Sequence, residues 1–330
     1  MKFFIRSFLL IQFLFSFSMA KGQSSLIDSL FHTDSIRHLV SVLASDSLKG
    51  RLTGTKENLK AAVFIADEFR KAGLSSVAGN NGFFQEVKPS WFNVIGAIKG
   101  KSKPEQLIIF SAHYDHVGSI NTNPHPEFGG HAEAERGDTI YNGANDDASG
   151  VSAVISLGKY FKALNNNERT LLFVAFTGEE LGLLGSQYFV DDCEPDSIIA
   201  VINIEMIGRG RFSNPRPFVT GYEKSNLFDI LNRNYRLLSG KNSEREFFKI
   251  DNNVNEFLFN RSDNFSFAVK GVPAHTIMVT SSNDEYYHNL NDETKTLDFN
   301  LMKKVIRAIA IGTTGLITGK DTPSRIKRVD

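Results

Sequence analysis

Two adjacent glutamates, Glu179 and Glu180, directly follow an almost purely apolar segment, residues 171–176. Like charges this close raise each other's proton affinity unless a positive group lies beside them. A buried strand that leads straight into a pair of carboxylates therefore indicates that a cation lies nearby. The other ligands of such a cation must come from elsewhere in the chain.

Four further segments place polar side chains where an apolar stretch ends. They contribute His113, Asp115 and His116, then Asp146 and Asp147, then Glu205, and finally His288. Ligands in open α/β sheets bind beyond the carboxyl ends of the strands, so we expect these side chains to gather on one rim. Each of them alone has an ordinary explanation as a solvated group or a helix cap. Their shared position after apolar segments favours a metal site.

The donor types indicate which metal this site would take. Zinc is bound by histidine nitrogen and carboxylate oxygen, and a catalytic zinc keeps one coordination position open. Two such ions that share a bridging carboxylate lie ~3.5–4 Å apart and hold a hydroxide between them. One glutamate of the adjacent pair can then bind metal while its neighbour accepts the proton of the water.

Strands and helices alternate along the chain, and this order determines where the polar groups can lie. Apolar runs predict strands in "FNVIGAI", "QLIIFSAH", "RTLLFVAFT", "IIAVINIEMIG", "PFVTGY" and "AHTIMVT". Helical spacing predicts helices over residues 58–74, 149–164, 226–238 and 299–317, and one after Glu180. This alternation is typical of an α/β fold with a mostly parallel, mixed central sheet and helices on both faces. No linker interrupts residues 25–320, which predicts one domain over residues 25–330.

Composition excludes some classes of partner. The 330 residues include 37 Lys+Arg and 37 Asp+Glu with no long run of one sign, which argues against nucleic acid and anionic membranes. Cys193 is the only cysteine, so an internal disulfide is excluded and a cysteine-based metal site is hard to build; we interpret it as structural.

Residues 1–22 have the pattern of a signal peptide. Two basic residues precede an apolar run, residues 8–17, and small residues follow it. That run is too short to span a bilayer comfortably, although an uncleaved anchor is the alternative. We expect export to the periplasm or the extracellular space, a mature chain that starts between Lys21 and Ser25, and no stable membrane insertion after cleavage.

The chain closely resembles the co-catalytic di-zinc aminopeptidases, a superfamily that also holds glutamate carboxypeptidases and animal-type glutaminyl cyclases. The resemblance rests on "LKGRLTGT", "AHYDH", "GANDDASG", "GEELGLLGS" and "YYHNLND", in this order, and spans residues 48–292. It implies a zinc-exopeptidase-like fold, two zinc ions per chain, and peptide substrates with a free N-terminus.

The resemblance also implies which residues bind the metal. Asp146 would bridge the two ions, His113 and Glu205 would complete one zinc, and Glu180 and His288 the other. The family usually has aspartate where this chain has Glu205. Because glutamate is one methylene longer, the ligand geometry there must differ, but zinc has no strong geometric preference of its own.

Three more residues receive roles from the resemblance. Glu179 would be the general base and acid. Asp115 would orient the imidazole of His113 through its second nitrogen. Tyr287 would help to polarise the scissile carbonyl.

Neighbouring residues receive simpler interpretations. His116 lies near the motif without an assigned role, and His125 and His131 lie in a long polar loop at the rim of the site. Asp147 is interpreted as a helix cap or as support for the ligands. Residues 261–265 ("RSDNF") and Asp292 are expected to support the site from behind.

These residues predict a secreted zinc aminopeptidase. A glutaminyl cyclase on the same scaffold, which usually works with one zinc, is the nearest alternative. A carboxypeptidase acting on acidic substrates and a non-enzymatic receptor-like protein are further alternatives. The uninterrupted "GEELGLLGS" and "NDDASG" favour the hydrolase.

Overall fold

The computed structural model describes residues 30–123, 137–210, 215–239, 246–253 and 255–328. The predicted signal peptide, His125 and His131 lie outside these residues. Across the described ranges no helix is both long enough and apolar enough to span a membrane.

The strands within those ranges form one eight-stranded sheet in the order β1-β2-β4-β3-β5-β8-β6-β7. Their bounds are β1 Phe84–Lys88, β2 Trp91–Ile98, β3 Lys103–His113, β4 Arg169–Phe176, β5 Ile198–Ile204, β6 Phe218–Val219, β7 Lys249–Ile250 and β8 Ala274–Met278. Strands β4, β3, β5 and β8 run parallel, and β2 and β6 pair with them in the antiparallel sense. The predicted mostly parallel, mixed sheet is confirmed. Strand β1 was not predicted, because its sequence "FQEVK" is a partly exposed edge strand with few apolar residues.

Helices cover both faces of this sheet. Their bounds are α1 Thr33–Leu43, α2 Lys56–Lys71, α3 Ser149–Leu164, α4 Leu184–Asp191, α5 Leu227–Leu238, α6 Asn264–Ala268, α7 Phe299–Gly312 and α8 Thr314–Ile317. Helix α3 has the predicted bounds. The helix predicted over residues 299–317 is divided at Thr313, whose hydroxyl donates to the carbonyl of Ile309 at 2.8 Å. Such a bond back to the preceding turn competes with the regular helical bonds and bends the backbone.

Two apolar layers result from the alternation of side chains along the strands. In β3, Ile108, Phe110 and Ala112 point to the larger layer, which includes residues of α1, α2, α3, α5 and α7. Ile109 points to the smaller layer, which includes residues of α4 and α6. The parallel strands are thus buried on both sides, as their near-continuous apolar sequences predicted.

The parallel strands end side by side. His113, the last residue of β3, pairs with Phe176, the last residue of β4. Glu179 follows β4 after a two-residue turn, and Glu205 follows β5 directly. The fold therefore brings the predicted site residues to one edge of the sheet.

Candidate metal centre

Asp146 lies at the centre of the site, in the turn Ala144–Ala148 before α3. Its Oδ1 is 3.1 Å from Nε2 of His113, and its Oδ2 is 3.2 Å from Nε2 of His288. The residue is only 2% exposed. A carboxylate that directs one oxygen to each of two imidazoles has the arrangement that a bridging metal ligand needs.

Two neighbouring carboxylates hold this turn in place. Asp292 accepts hydrogen bonds from the backbone nitrogens of Asn145 and Asp146 at 2.9–3.1 Å. Asp147 Oδ1 accepts from the backbone nitrogens of Gly150, at 2.9 Å, and Met206, at 3.2 Å. Asp147 therefore satisfies an amide in the first turn of α3 and ties that turn to the segment after β5, in agreement with its interpretation as a cap. Asp292 supports the turn from behind, as expected.

Asp115 connects the ends of β3 and β4, but not in the predicted way. Nδ1 of His113 is 3.2 Å from the backbone carbonyl of Asp115 and 3.9 Å from its carboxylate. The prediction that the carboxylate of Asp115 orients the imidazole of His113 is therefore wrong, because the backbone carbonyl of Asp115 does so. The carboxylate instead accepts from Thr53 Oγ1 at 2.9 Å and from the backbone nitrogens of Glu179 and Glu180 at 3.2 and 3.3 Å. Asp115 thus positions the histidine and the glutamate pair together.

A second group of donors surrounds Glu180. Its Oε2 is 3.1 Å from Nε2 of His288, and its Oε1 is 2.9 Å from Nδ1 of His116. Ligand atoms of His116, Asp146, Glu180 and His288 all lie within 4.8 Å of one another. Sequence reasoning gave His116 no role, and the only signal for it was its position three residues after His113.

Glu205 and Glu179 complete the predicted set. Ligand atoms of His113, Asp146 and Glu205 lie within 4.8 Å of one another, and so do those of His113, Glu179 and Glu180. Oε2 of Glu205 is buried and has no hydrogen-bond partner among the described residues. Burial raises the pKa of Glu205 to about 7 and raises the pKa of Glu179 well above its ordinary value.

Tyr287 lies beside these ligands at the mouth of the site. Its ring stacks on His288 with a centroid distance of 4.0 Å, and its hydroxyl accepts from Arg261 at 3.3 Å. Burial, followed by the charges of nearby carboxylates, raises the pKa of Tyr287 well above its ordinary value. The adjoining cavity has a volume of about 460 Å³. Its walls include the four acidic residues Asp146, Glu179, Glu180 and Glu205, and the apolar residues Leu183, Met206, Leu258, Phe265 and Met278.

Arg209 ties the segment that carries His288 to the segment that follows β5. Its guanidinium contacts Asp284 and Asp292, each at 2.7 Å, and donates to Thr296 Oγ1 at 2.8 Å. Because Asp292 also binds the turn of Asp146, one arginine joins the segments of three predicted ligands. The sequence motifs around the ligands did not predict this role of Arg209, because its three partners lie 75 to 87 positions after it in the chain.

The site concentrates negative charge in a buried position. Burial alone lowers the pKa of His288, but Glu180 and Asp146 outweigh it and raise that pKa to about 11. Burial raises the pKa of Glu180, but His288 and the hydrogen bond from His116 outweigh it and lower that pKa to about 2. Carboxylates that stabilise positive charge so strongly favour a cation between them. This accounts for the two adjacent glutamates at the end of a buried strand.

The donor set and its spacing fit zinc. Nε2 of His288 is 3.2 Å from Oδ2 of Asp146 and 3.1 Å from Oε2 of Glu180. Ligands around a tetrahedral zinc with bonds of ~2.0–2.1 Å are ~3.3 Å apart. The unpartnered Oε2 of Glu205 offers a further oxygen on the side of His113.

Comparisons with known proteins agree with this chemistry. The model of peptidase family M28 matches residues 93–311. A probable zinc metalloprotease of Pyrenophora teres f. teres is 35% identical over 120 residues, which cover 36% of this chain and 23% of that protein. The chain thus spans about a quarter of the length of the first curated relatives. A probable leucine aminopeptidase of Trichophyton verrucosum is 27% identical over 295 residues, 85% of this chain and 73% of the relative.

Solved structures of low sequence identity share the fold. LapA aminopeptidase of Legionella pneumophila aligns with a TM-score of 0.67 at 19% identity, covering 90% of this chain and 75% of that one. Glutaminyl cyclase of Porphyromonas gingivalis aligns with a TM-score of 0.63 at 16% identity, covering 87% of this chain and 99% of that one. The predicted zinc-exopeptidase-like fold is therefore confirmed.

Proposed function

Because the chain belongs to peptidase family M28, we propose that it is a zinc-dependent aminopeptidase that removes N-terminal residues from peptides. The observation that carries this proposal is Asp146, which directs one oxygen to His113 and the other to His288. Two donor groups share this carboxylate, one including Glu205 and the other Glu180. This sharing supports two zinc ions per chain.

The metal and the protein supply different parts of the chemistry. Zinc ions bound by His113, Asp146, Glu180, Glu205 and His288 would polarise the scissile carbonyl and lower the pKa of a water. The remaining steps fall to side chains that do not bind the metal.

Glu179 would transfer the proton. Its carboxylate lines the cavity and lies beside His113 and Glu180. Burial raises its pKa, and the charge of Glu180 adds to this effect. A carboxylate of raised pKa can take a proton from the attacking water and give it to the leaving amine at neutral pH.

Tyr287 would act on the carbonyl. Its pKa is well above the ordinary value, so its hydroxyl keeps its proton and can donate to the carbonyl oxygen as negative charge develops there. The acidic wall of the cavity would hold a free α-ammonium group, which accounts for selectivity for chain ends.

We also propose that the protein is exported. The support is the sequence of residues 1–22, a basic start and an apolar run followed by small residues. The intact mass of protein from the periplasm or the medium tests this. A mass that starts between Lys21 and Ser25 is expected, and a full-length chain in the membrane fraction would contradict it.

Hydrolysis of aminoacyl p-nitroanilides tests the activity. We expect activity in the purified protein, loss after chelation, recovery with zinc, and no cleavage when the α-amine of the substrate is acetylated. A glutaminyl peptide and a peptide with a C-terminal glutamate are assayed in parallel by mass spectrometry. Release of ammonia from the first would indicate a cyclase, and loss of glutamate from the second a carboxypeptidase. Zinc-loaded protein that cleaves no aminoacyl substrate would contradict the proposal.

A further inference from the structure

His116 has no part in the mechanism above, yet it is fully buried beside the metal ligands. Its ring packs on the backbone of Gly143, where an added Cβ would lie 2.7 Å from Cγ and Cδ2 of the imidazole. On another side its ring meets that of His288 at a centroid distance of 5.5 Å and an angle of 78°. These contacts fix the plane of the ring, so its two nitrogens point in defined directions.

The two nitrogens of His116 differ in their partners. Nδ1 is 2.9 Å from Oε1 of Glu180 and 3.9 Å from Oδ2 of Asp146. Nε2 is buried without a hydrogen-bond partner among the described residues. An ionised carboxylate only accepts hydrogen bonds, so Nδ1 carries the proton and donates it. The distance of 2.9 Å is that of a charge-assisted hydrogen bond.

Because of the hydrogen bond from His116, the two oxygens of Glu180 have different partners. Oε1 is occupied by His116, and Oε2 faces His288 Nε2 at 3.1 Å. Oε2 is thereby directed to the same point as Oδ2 of Asp146, which is 3.2 Å from that imidazole nitrogen. A glutamate side chain has several rotatable bonds, so holding one oxygen reduces the entropy that metal binding costs.

We propose that His116 is a positioning residue of the metal centre, which holds Oε1 of Glu180 so that Oε2 faces the zinc ion shared with Asp146 and His288. The inference rests on the zinc site of the proposed function. Replacing a residue that hydrogen-bonds to a metal ligand typically lowers metal affinity 10–100-fold.

A pair of substitutions separates this role from direct metal binding. His116→Asn places an amide donor near the position of Nδ1, whereas His116→Leu has a similar volume and no donor. His275→Leu is the matched control, because His275 is also buried and makes two hydrogen bonds, to Thr220 and Ser225. Within the described residues, His275 belongs to none of the clusters whose side chains could hold a metal ion.

Zinc titration of metal-free protein and zinc-dependent thermal stability provide the readouts, and neither needs a substrate. We expect His116→Leu to weaken one of the two zinc sites 10–100-fold and to reduce the rise in Tm on zinc addition. His116→Asn should retain most of the affinity. His275→Leu should lower Tm equally with and without zinc.

Three outcomes would overturn the inference. Equal loss of zinc in the Asn and Leu variants would make His116 a ligand itself. A Leu variant with wild-type zinc affinity, or one that loses Tm equally with and without zinc, would limit His116 to packing. A wild-type chain that binds no zinc would overturn the proposed function as well, which distinguishes the two failures.

Discussion

The two ends of the parallel strands both carry buried polar residues, but these residues have different kinds of partner. Beyond the carboxyl ends, carboxylates gather around His113 and His288. Some of their oxygens, including Glu205 Oε2 and Asp147 Oδ2, are buried without a hydrogen-bond partner in the described part of the chain. Buried polar atoms are normally paired, so this end is incomplete without a cation.

At the amino ends, buried charged side chains have their partners within the protein. Strand β4 begins at Arg169, whose guanidinium donates to a side chain of β3, to two backbone carbonyls and to a hydroxyl of the C-terminal segment, namely Gln106, Leu316, Asp321 and Thr322. Arg325 donates to the carbonyl of Ile198, the first residue of β5. These arginines attach the C-terminal segment to the sheet and have fixed partners in the protein.

Two buried histidines show the same contrast. His275, near the start of β8, donates from Nδ1 to the carbonyl of Thr220 at 2.8 Å, and its Nε2 is 2.7 Å from Ser225 Oγ. Burial lowers its pKa to about 4, whereas the carboxylates around His288 raise that pKa to about 11. A buried histidine with neutral partners, such as His275, stabilises the fold. A buried histidine surrounded by carboxylates, such as His288, indicates a binding site.

The largest expected effect comes from Glu179→Gln at the carboxyl ends. The variant keeps the shape of the side chain but removes the proton acceptor, so kcat should fall by ~10²–10⁴-fold with zinc content unchanged. Glu180→Gln should lose zinc and activity together. Elemental analysis beside kinetics checks both variants. If the Glu179 variant loses zinc, then Glu179 is the metal ligand and Glu180 is the base. If the variant keeps full activity, the proposed mechanism is wrong.

His275 makes the amino ends sensitive to acid. Its pKa is 6.5 when unfolded and about 4 when folded, so the unfolded chain binds the extra proton between these values. Stability therefore falls as pH drops from about 6.5 to about 4, by up to about 3 kcal/mol. Urea unfolding of wild type and His275→Leu at several pH values measures this. The stability difference between them should shrink with acidification, and a constant difference would contradict the assignment.

Arg169→Met tests whether the amino ends serve architecture alone. The substitution leaves the partly buried carbonyl of Asp321 without its donor and removes one of the two donors to the carbonyl of Leu316, which keeps its bond from Gly319; this should cost about 2 kcal/mol of unfolding free energy. Zinc affinity and KM should not change. Denaturant unfolding and zinc titration check this, and a loss of zinc that exceeds the loss of stability would show that the two ends are coupled.

The smallest expected effect is that of Glu205→Asp. The shorter side chain draws its carboxylate back from His113 and Asp146, but zinc adapts to varied ligand geometry. We expect zinc affinity on that side to change by less than about tenfold, which is about 1.4 kcal/mol. Competition with a chelator measures it. Complete loss of one zinc would show that the strand end holds the ligand too rigidly to adjust.

The sequence by itself determined the parts of this protein that depend on near neighbours. Apolar runs predicted the parallel strands, because strands buried on both faces have nearly continuous apolar sequences. Helical spacing of apolar residues predicted helix α3. Polar residues at the ends of those strands then identified His113, Glu205 and the glutamate pair, and the polar turn before α3 identified Asp146. The structure brings all of them, with His288, to one edge of the sheet.

Only the tertiary structure decided how these groups are held. His116 is 64 positions from Glu180, and Arg209 is 75 and 83 positions from Asp284 and Asp292. Asp115 binds the imidazole with its carbonyl because its carboxylate is taken by a hydroxyl and two amides from other segments. Hydrogen bonds of this kind depend on distances across the folded chain, and residue order does not record those distances. Short sequence motifs are therefore enough to predict which residues are ligands, whereas the orientation of those ligands depends on the tertiary structure.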